Sequence, residues 1–137
     1  MAFVLDASAV LPWHFRDEAT ERSEHLLARA DGGEKIHVVP HWPLEILNAL
    51  TRASRRSRTD DRTTQLFLTS LLRYDITIDT QSIARQWAEA RPFNLKHRLS
   101  AYDAAYLALA RRLNISLATF DEQLILAAQA EGVSLAV

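Results

Sequence analysis

Short apolar runs alternate along this chain with longer segments in which apolar side chains recur every three or four positions. The short runs, bounded by polar or turn residues, are typical of strands buried on both faces. They cover residues 3–5, 36–39, 76–78, 115–118 and 133–137. The longer segments predict amphipathic helices. They cover residues 18–30, 44–50, 59–72, 81–90, 100–113 and 122–130.

This alternation predicts an α/β fold with a central parallel sheet covered by helices on both faces, a three-layer α/β/α sandwich. The length of 137 residues suits one domain spanning residues 1–137. Two local expectations accompany that prediction. Residues 91–99, with Pro92 and several bases, are predicted to be a polar loop. The helix over residues 81–90 is predicted to pack through Ile83, Ala84, Trp87 and Ala88.

Composition narrows the possible functions. Cysteine is absent, which excludes disulfides and thiolate metal sites and is compatible with a reducing cytoplasm. The net charge of −1 indicates that any nucleic-acid contact depends on a local basic patch. No apolar run approaches the roughly 20 residues of a membrane span. No export signal is recognised at the start of the sequence, so the expected location is cytoplasmic.

Four carboxylates occupy equivalent positions in the predicted fold. Asp6 follows the first strand, and Glu45 lies in the first turn of the helix after the second strand. Asp103 lies in the first turn of a later helix, and Asp121 follows the fourth strand. In a parallel sheet these positions lie at one rim, where ligands bind in open α/β folds. The four side chains are therefore expected to converge.

Converged carboxylates repel one another unless a cation neutralises them. Oxygen ligands without cysteine favour a hard ion, Mg²⁺ or Mn²⁺. An alternative interpretation exists for each acid. Ser100 to Asp103 and Thr119 to Glu122 fit capping boxes, and Glu45 could simply favour the positive end of its helix. Spacing alone therefore predicts a candidate metal site and does not identify a reaction.

Four stretches of the chain resemble the motifs of PIN-domain nucleases, in order and over essentially the whole length. They are FVLDASAV at residues 3–10, LEILNAL at 44–50, SAYDAAYLALA at 100–110 and LATFDEQL at 117–124. The compact length and the Asp-Ala-Ser opening resemble the VapC-type toxins of toxin–antitoxin pairs. The stretch between Thr59 and Leu99 matches only in pattern.

The resemblance implies an Mg²⁺- or Mn²⁺-dependent ribonuclease that forms homodimers and is silenced by a VapB-type antitoxin. It makes Asp6, Asp103 and Asp121 the expected metal ligands. Glu45 would bind a second ion or orient the attacking water. Ser8 and Thr119 would hold the carboxylates in place. The aromatic residues of the first half, among them Trp13, Phe15, Trp42 and Phe67, suggest a hydrophobic groove for an antitoxin segment.

Basic residues form two local groups on this nearly neutral chain. The candidates for RNA or antitoxin contact are Arg52, Arg55, Arg56, Lys96 and Arg98. Arginine suits phosphate because its planar fork makes paired hydrogen bonds. For Arg58 the favoured interpretation is a solvated helix end.

Three other classes of protein are alternatives. A haloacid-dehalogenase-like phosphatase needs a second acid where this chain has Ser8, and a catalytic lysine in a suitable motif. A response-regulator receiver needs an early acidic pair and a late lysine, and neither is present. The third alternative is an inactive PIN scaffold that binds RNA or a protein, which the intact set of four acids argues against.

Overall fold

A computed structural model describes all residues from 1 to 137. Its four strands are β1 (Ala2–Leu5), β2 (Lys35–Val38), β3 (Ile76–Ile78) and β4 (Ser116–Ala118). They form one parallel sheet in the order β3-β2-β1-β4. β1 is central, and its residues Phe3, Val4 and Leu5 are completely buried because the sheet is covered on both faces. The predicted α/β fold is confirmed.

Seven helices connect and cover the strands. They are α1 (Ala7–Val10), α2 (Glu21–Asp31), α3 (Trp42–Arg55), α4 (Asp61–Leu71), α5 (Ile83–Lys96), α6 (Ala101–Leu113) and α7 (Glu122–Ala130). Side-chain oxygens start several of them. Thr20, Asp60, Ser82, Ser100 and Asp121 each accept a backbone N–H from the first turn. No helix is long and apolar enough to cross a membrane.

The predicted polar loop over residues 91–99 is wrong for residues 91–96 and holds only for residues 97–99. Helix α5 continues through Pro92 to Lys96. A proline inside a helix leaves the carbonyl four residues earlier without its N–H partner. That carbonyl belongs to Ala88, which is exposed, so water can bond to it. Phe93 then packs into the core, where it is 8% exposed, and anchors the last turn.

The predicted inward face of this helix is also wrong. Ile83, Ala84, Trp87 and Ala88 all face solvent, and Trp87 is 70% exposed. Phe93 is the one buried residue of α5, and the apolar positions near the start of the helix are left uncovered.

A fifth strand over residues 133–137 is not formed. The segment makes a single parallel bridge, between Leu135 and Leu117 of β4. Leu117 N donates to Ser134 O, and Ala136 N donates to Leu117 O, both at 2.9 Å. Only this one residue of the short β4 pairs with the segment, so the ladder does not extend.

Candidate active site

The four predicted acids line one cavity of about 530 Å³ at the carboxyl rim of the sheet, here called the acidic cavity. Asp6 follows β1, and Asp121 immediately precedes α7. Glu45 and Asp103 lie in the first turns of α3 and α6. The parallel sheet directs all these chain positions to the same rim, so the predicted convergence is confirmed.

Asp6 is the most deeply buried of the four, with 4% of its surface exposed. Its Oδ2 accepts hydrogen bonds from the Ser8 and Thr119 hydroxyls, each at 2.7 Å. Ser8 Oγ in turn accepts the Phe120 N–H, and Thr119 Oγ1 accepts the Asp121 N–H. Ser8 and Thr119 thus tie the end of β1 to the chain after β4. The Oδ1 atom of Asp6 makes no hydrogen bond within the protein and remains available for a ligand.

Glu45 is held by a residue whose role the sequence did not reveal. The Tyr106 hydroxyl donates to Glu45 Oε1 at 2.5 Å, and Tyr106 itself is completely buried. The sequence feature that could have indicated this role is the spacing of Tyr106, which lies one turn after Asp103 on the same side of α6. His41 Nε2 lies 3.7 Å from the same Glu45 oxygen. Glu45 Oε2 carries no hydrogen bond within the protein.

The alternative interpretation, that these acids belong to helix caps, is correct for Asp121. For Asp103 it is correct only in that the backbone N–H, and not the carboxylate, takes part in the cap. Asp121 Oδ1 accepts the Leu124 N–H at 2.9 Å, which leaves its Oδ2 free. Ser100 Oγ accepts the Asp103 N–H, but the Asp103 carboxylate makes no reciprocal bond. The predicted box from Thr119 to Glu122 is wrong, because Thr119 donates to Asp6 and Asp121 is the cap. Capping therefore explains the position of Asp121 and leaves the Asp103 carboxylate uncommitted.

Burial and mutual repulsion dominate the electrostatics of the acidic cavity. Burial raises the pKa of Asp103 to about 6, and the charges of Asp6, Asp121 and Glu45 contribute to the rise. Burial likewise raises the pKa of Asp6, although hydrogen bonds from Ser8 and Thr119 oppose the shift. The raised pKa values mean that the cluster is electrostatically unfavourable when all its carboxylates are ionised.

The donor set fits a hard divalent cation. Each acid leaves at least one oxygen free, and the charge repulsion gives a cation a clear role. The one imidazole that lines the cavity, His41, directs its Nε2 to the Tyr102 carbonyl at 3.1 Å. The structure contains no group of three or more His, Asp or Glu side chains already placed to hold a metal ion. An open arrangement is compatible with Mg²⁺, which keeps several waters and usually binds through one or two protein carboxylates. Asp6, Asp103, Asp121 and Glu45 are the residues that would hold it.

The predicted basic contacts separate into two groups. Arg52 lines the acidic cavity, and Arg52 and Arg56 also line a neighbouring cavity of about 240 Å³. Arg55 is exposed on the same helix. Lys96 instead pairs with Glu131 at 2.7 Å, where α5 and α7 end. Neither Lys96 nor Arg98 lines the acidic cavity.

Arg58 is bonded to acidic residues of its own chain. Its Nη2 lies 3.1 Å from Asp17 and 2.9 Å from Glu18. Its guanidinium also lies over the Phe15 ring. Arg58 therefore ties the end of α3 to the segment before α2 and differs from a simple solvated helix end.

A hydrophobic groove is present, but the aromatic residues that suggested it are mostly in the core. Trp13, Phe15, Trp42 and Phe67 are each less than 10% exposed. An apolar cavity of about 390 Å³ lies between α3, α4 and β3. It is lined mainly by aliphatic residues and Tyr74, with Trp42 as the one member of the predicted aromatic set.

Comparison with known proteins follows this geometry. The sequence model of the PIN domain matches residues 3–130. The chain is 30% identical over 124 residues to Ribonuclease VapC3 of Pyrobaculum aerophilum, covering 90% of this chain and 92% of that protein.

Solved structures share the fold. Mycobacterium tuberculosis VapC20, described as a Sarcin-Ricin loop cleaving toxin, superposes with a TM-score of 0.64 at 18% identity, covering 91% of this chain and 94% of that one. Rickettsia felis VapBC2, solved bound to a DNA fragment from its promoter, gives a TM-score of 0.68 at 14% identity, covering 98% and 97%.

The repulsion in the acidic cavity predicts how stability depends on pH when divalent cations are removed with a chelator. Because the pKa of Asp103 is higher in the folded than in the unfolded chain, the folded state binds more protons between about pH 4 and pH 6. Stability from this group therefore falls as the pH rises through that window. Asp103→Asn should raise the free energy of unfolding by about 1 kcal/mol at pH 7, allowing for partial solvent screening.

Thermal melting of both proteins from pH 4 to pH 8 checks this expectation. The advantage of Asp103→Asn should shrink as the pH falls towards 4. The control is Asp61→Asn, which changes an exposed first-turn acid of α4 outside the cluster. An Asp103→Asn protein that is less stable than the parent at pH 7 would contradict the repulsion account.

Proposed function

This chain belongs to the PIN-domain family, and on that premise we propose that it is a divalent-metal-dependent endoribonuclease, the toxin of a type II toxin–antitoxin pair. The observation that carries the proposal is the convergence of Asp6, Glu45, Asp103 and Asp121 on one cavity. The likeness to a VapC ribonuclease over nine-tenths of the chain supports the same activity. The absence of cysteine is compatible with action on RNA in the cytoplasm, which is part of the proposal.

The reaction is hydrolysis of an RNA phosphodiester bond. A bound Mg²⁺ or Mn²⁺ would supply an activated water and neutralise charge that develops at the phosphorus. Asp6, Asp103 and Asp121 would bind the ion through the oxygens that the protein leaves free. Ser8 and Thr119 fix the orientation of Asp6, so this ligand needs little rearrangement.

Glu45 has a separate proposed part in the reaction. Tyr106 holds its Oε1, so its Oε2 is positioned to bind a second ion or to accept a proton from the attacking water. Arg52 lines the same cavity and is available to bind a phosphate of the substrate.

Control by an antitoxin is the second part of the proposal. One structural relative is a VapBC complex, and this chain offers an arginine-lined cavity beside the acidic cavity and an apolar cavity between α3, α4 and β3. A VapB-type segment with acidic and apolar residues fits such surfaces. We further propose that the chain forms a homodimer, supported by two large exposed apolar side chains, Leu47 in α3 and Leu72 directly after α4.

Replacing Asp6 or Asp103 with Asn should abolish cleavage of cellular RNA in Mg²⁺ or Mn²⁺. An amide keeps the shape of the side chain but removes the charge that attracts a hard cation. The folded state should persist, since each replacement also relieves repulsion. Gel analysis of RNA, beside melting curves, measures both effects.

The control for that experiment is Asp17→Asn, which removes an exposed acid that pairs with Arg58. It should cleave at the rate of the parent. Parental cleavage by the Asp6→Asn and Asp103→Asn proteins would show that these carboxylates do not hold the metal. A folded parent without any metal-dependent cleavage would favour the inactive scaffold.

Tyr106→Phe should lower kcat with little change in KM, because Glu45 loses the hydroxyl that fixes it. Loss of a residue that orients a ligand typically costs about 10- to 100-fold in activity. The matched control is Tyr74→Phe, which removes a hydroxyl bonded to Asp31. Equal kinetic effects of the two changes would mean that Tyr106 acts on stability alone.

The dimer proposal has its own measurement. Light scattering on the purified chain should give twice the mass of one chain at micromolar concentration. A mass of one chain at every concentration tested would contradict the dimer and would leave the nuclease proposal intact.

A further inference from the structure

A second cavity of about 220 Å³ lies between α5 and α6 and adjoins the acidic cavity. His41 and Tyr102 line both cavities and form their shared wall. The two rings pack edge to face, with centroids 5.2 Å apart. An RNA strand with one phosphate among the four carboxylates would therefore have its neighbouring nucleotide beside this second cavity. It is called the side pocket below.

Aromatic rings flank the side pocket and remain accessible. Trp87 is 70% exposed and Tyr102 is 63% exposed. The other two tryptophans, Trp13 and Trp42, are 8% and 6% exposed and belong to the core. Because the Trp87 indole is exposed to water, the fold does not gain the hydrophobic free energy that its burial would provide. Exposed aromatic side chains beside a nucleic-acid path are stacking platforms, and every base has a face that stacks.

The size and floor of the side pocket suit one planar ring system. Ala90, Ala101 and Ala105 line it, and their small side chains leave space between the helices. Its volume lies below the roughly 300–1,000 Å³ of pockets that enclose a drug-sized ligand. A base fits such a space, whereas the ribose and phosphate would stay outside.

The charges of the side pocket do not oppose RNA. Two acids line it, Asp79 and Glu89, and both pair with Arg112, at 2.6 and 3.0 Å. Arg85 adds a second cation to Glu89 at 3.1 Å. The negative charges are thus compensated inside the protein.

Two amides supply hydrogen-bonding groups for the edge of a base. Gln81 Nε2 donates to Asp79, and Gln86 Nε2 donates to the Gln81 carbonyl, so both side chains are oriented. Each amide keeps its oxygen and its second N–H free.

We propose that the side pocket binds the base of an RNA nucleotide next to the scissile phosphate, stacked on Trp87 and Tyr102. This proposal rests on the proposed ribonuclease function and extends it to a substrate contact. It gives the exposed indole of α5 a role that fold stability does not explain.

Binding is measured with a short, labelled, single-stranded oligoadenylate by fluorescence anisotropy and by quenching of tryptophan emission. The parent for these titrations carries Asp103→Asn, so that the probe is not cut. Adding Trp87→Ala or Tyr102→Ala should weaken binding roughly 5- to 100-fold, the usual effect of losing one stacking partner. Trp87→Phe should restore most of the affinity. Quenching should disappear with Trp87, since the other indoles are buried.

Two controls separate base binding from charge and from general surface effects. An abasic oligomer of equal length carries the same phosphates, and its affinity should not depend on Trp87. Leu66→Ala removes an exposed apolar side chain of α4 that is 61% accessible, and it should bind like the parent.

Several results would overturn the proposal. The first is that the parent does not bind oligoadenylate. The second is that Trp87→Ala weakens binding of the abasic oligomer as much as binding of oligoadenylate. The third is that Trp87→Ala binds oligoadenylate as tightly as the parent does. A fall in oligomeric mass on Trp87→Ala would overturn it too, because a second copy of the chain would then cover the pocket. RNA cleavage by the wild type distinguishes the two proposals. Cleavage without base stacking would contradict only the side-pocket proposal. Stacking without cleavage would contradict the nuclease proposal and leave the side pocket as a site that binds RNA bases.

Discussion

Repulsion between carboxylates that the parallel sheet gathers at one rim is the constraint on which the site depends. The sheet brings Asp6, Glu45, Asp103 and Asp121 to one cavity, and burial makes their shared negative charge costly. The surrounding residues keep the arrangement intact. Ser8 and Thr119 bond to Asp6, and Tyr106 bonds to Glu45. These bonds fix the orientation of Asp6 and Glu45 before any ligand binds.

The parts of the fold that position this site were predictable because they depend on local patterns. The run Phe3-Val-Leu before Asp6 indicates a buried strand, and Ser100 indicates the start of the helix that carries Asp103. The rule that parallel strands share a carboxyl rim then brings the acids together. The sequence could not show that Tyr106 bonds to Glu45, because that contact joins residues 61 positions apart.

Errors of prediction arose where tertiary packing overrides a local signal. Pro92 usually ends a helix, but the exposed side of α5 lets water replace the lost bond, and Phe93 anchors the continuation. The apolar stripe around Trp87 suggested an inward face, yet Phe93 is the residue of α5 that is buried in the core. Exposed apolar patches often mark binding surfaces, and sequence periodicity alone does not distinguish such a patch from a core face.

The central claim is that the four carboxylates hold a divalent cation. Diffraction from crystals of the protein soaked in Mn²⁺, with data collected at the manganese absorption edge, tests it most directly. We expect an anomalous peak within the acidic cavity, in contact with Asp6 and at least one of Asp103 and Asp121. A cavity without such a peak at saturating Mn²⁺, or Mn²⁺ bound only elsewhere on the protein, would contradict the account.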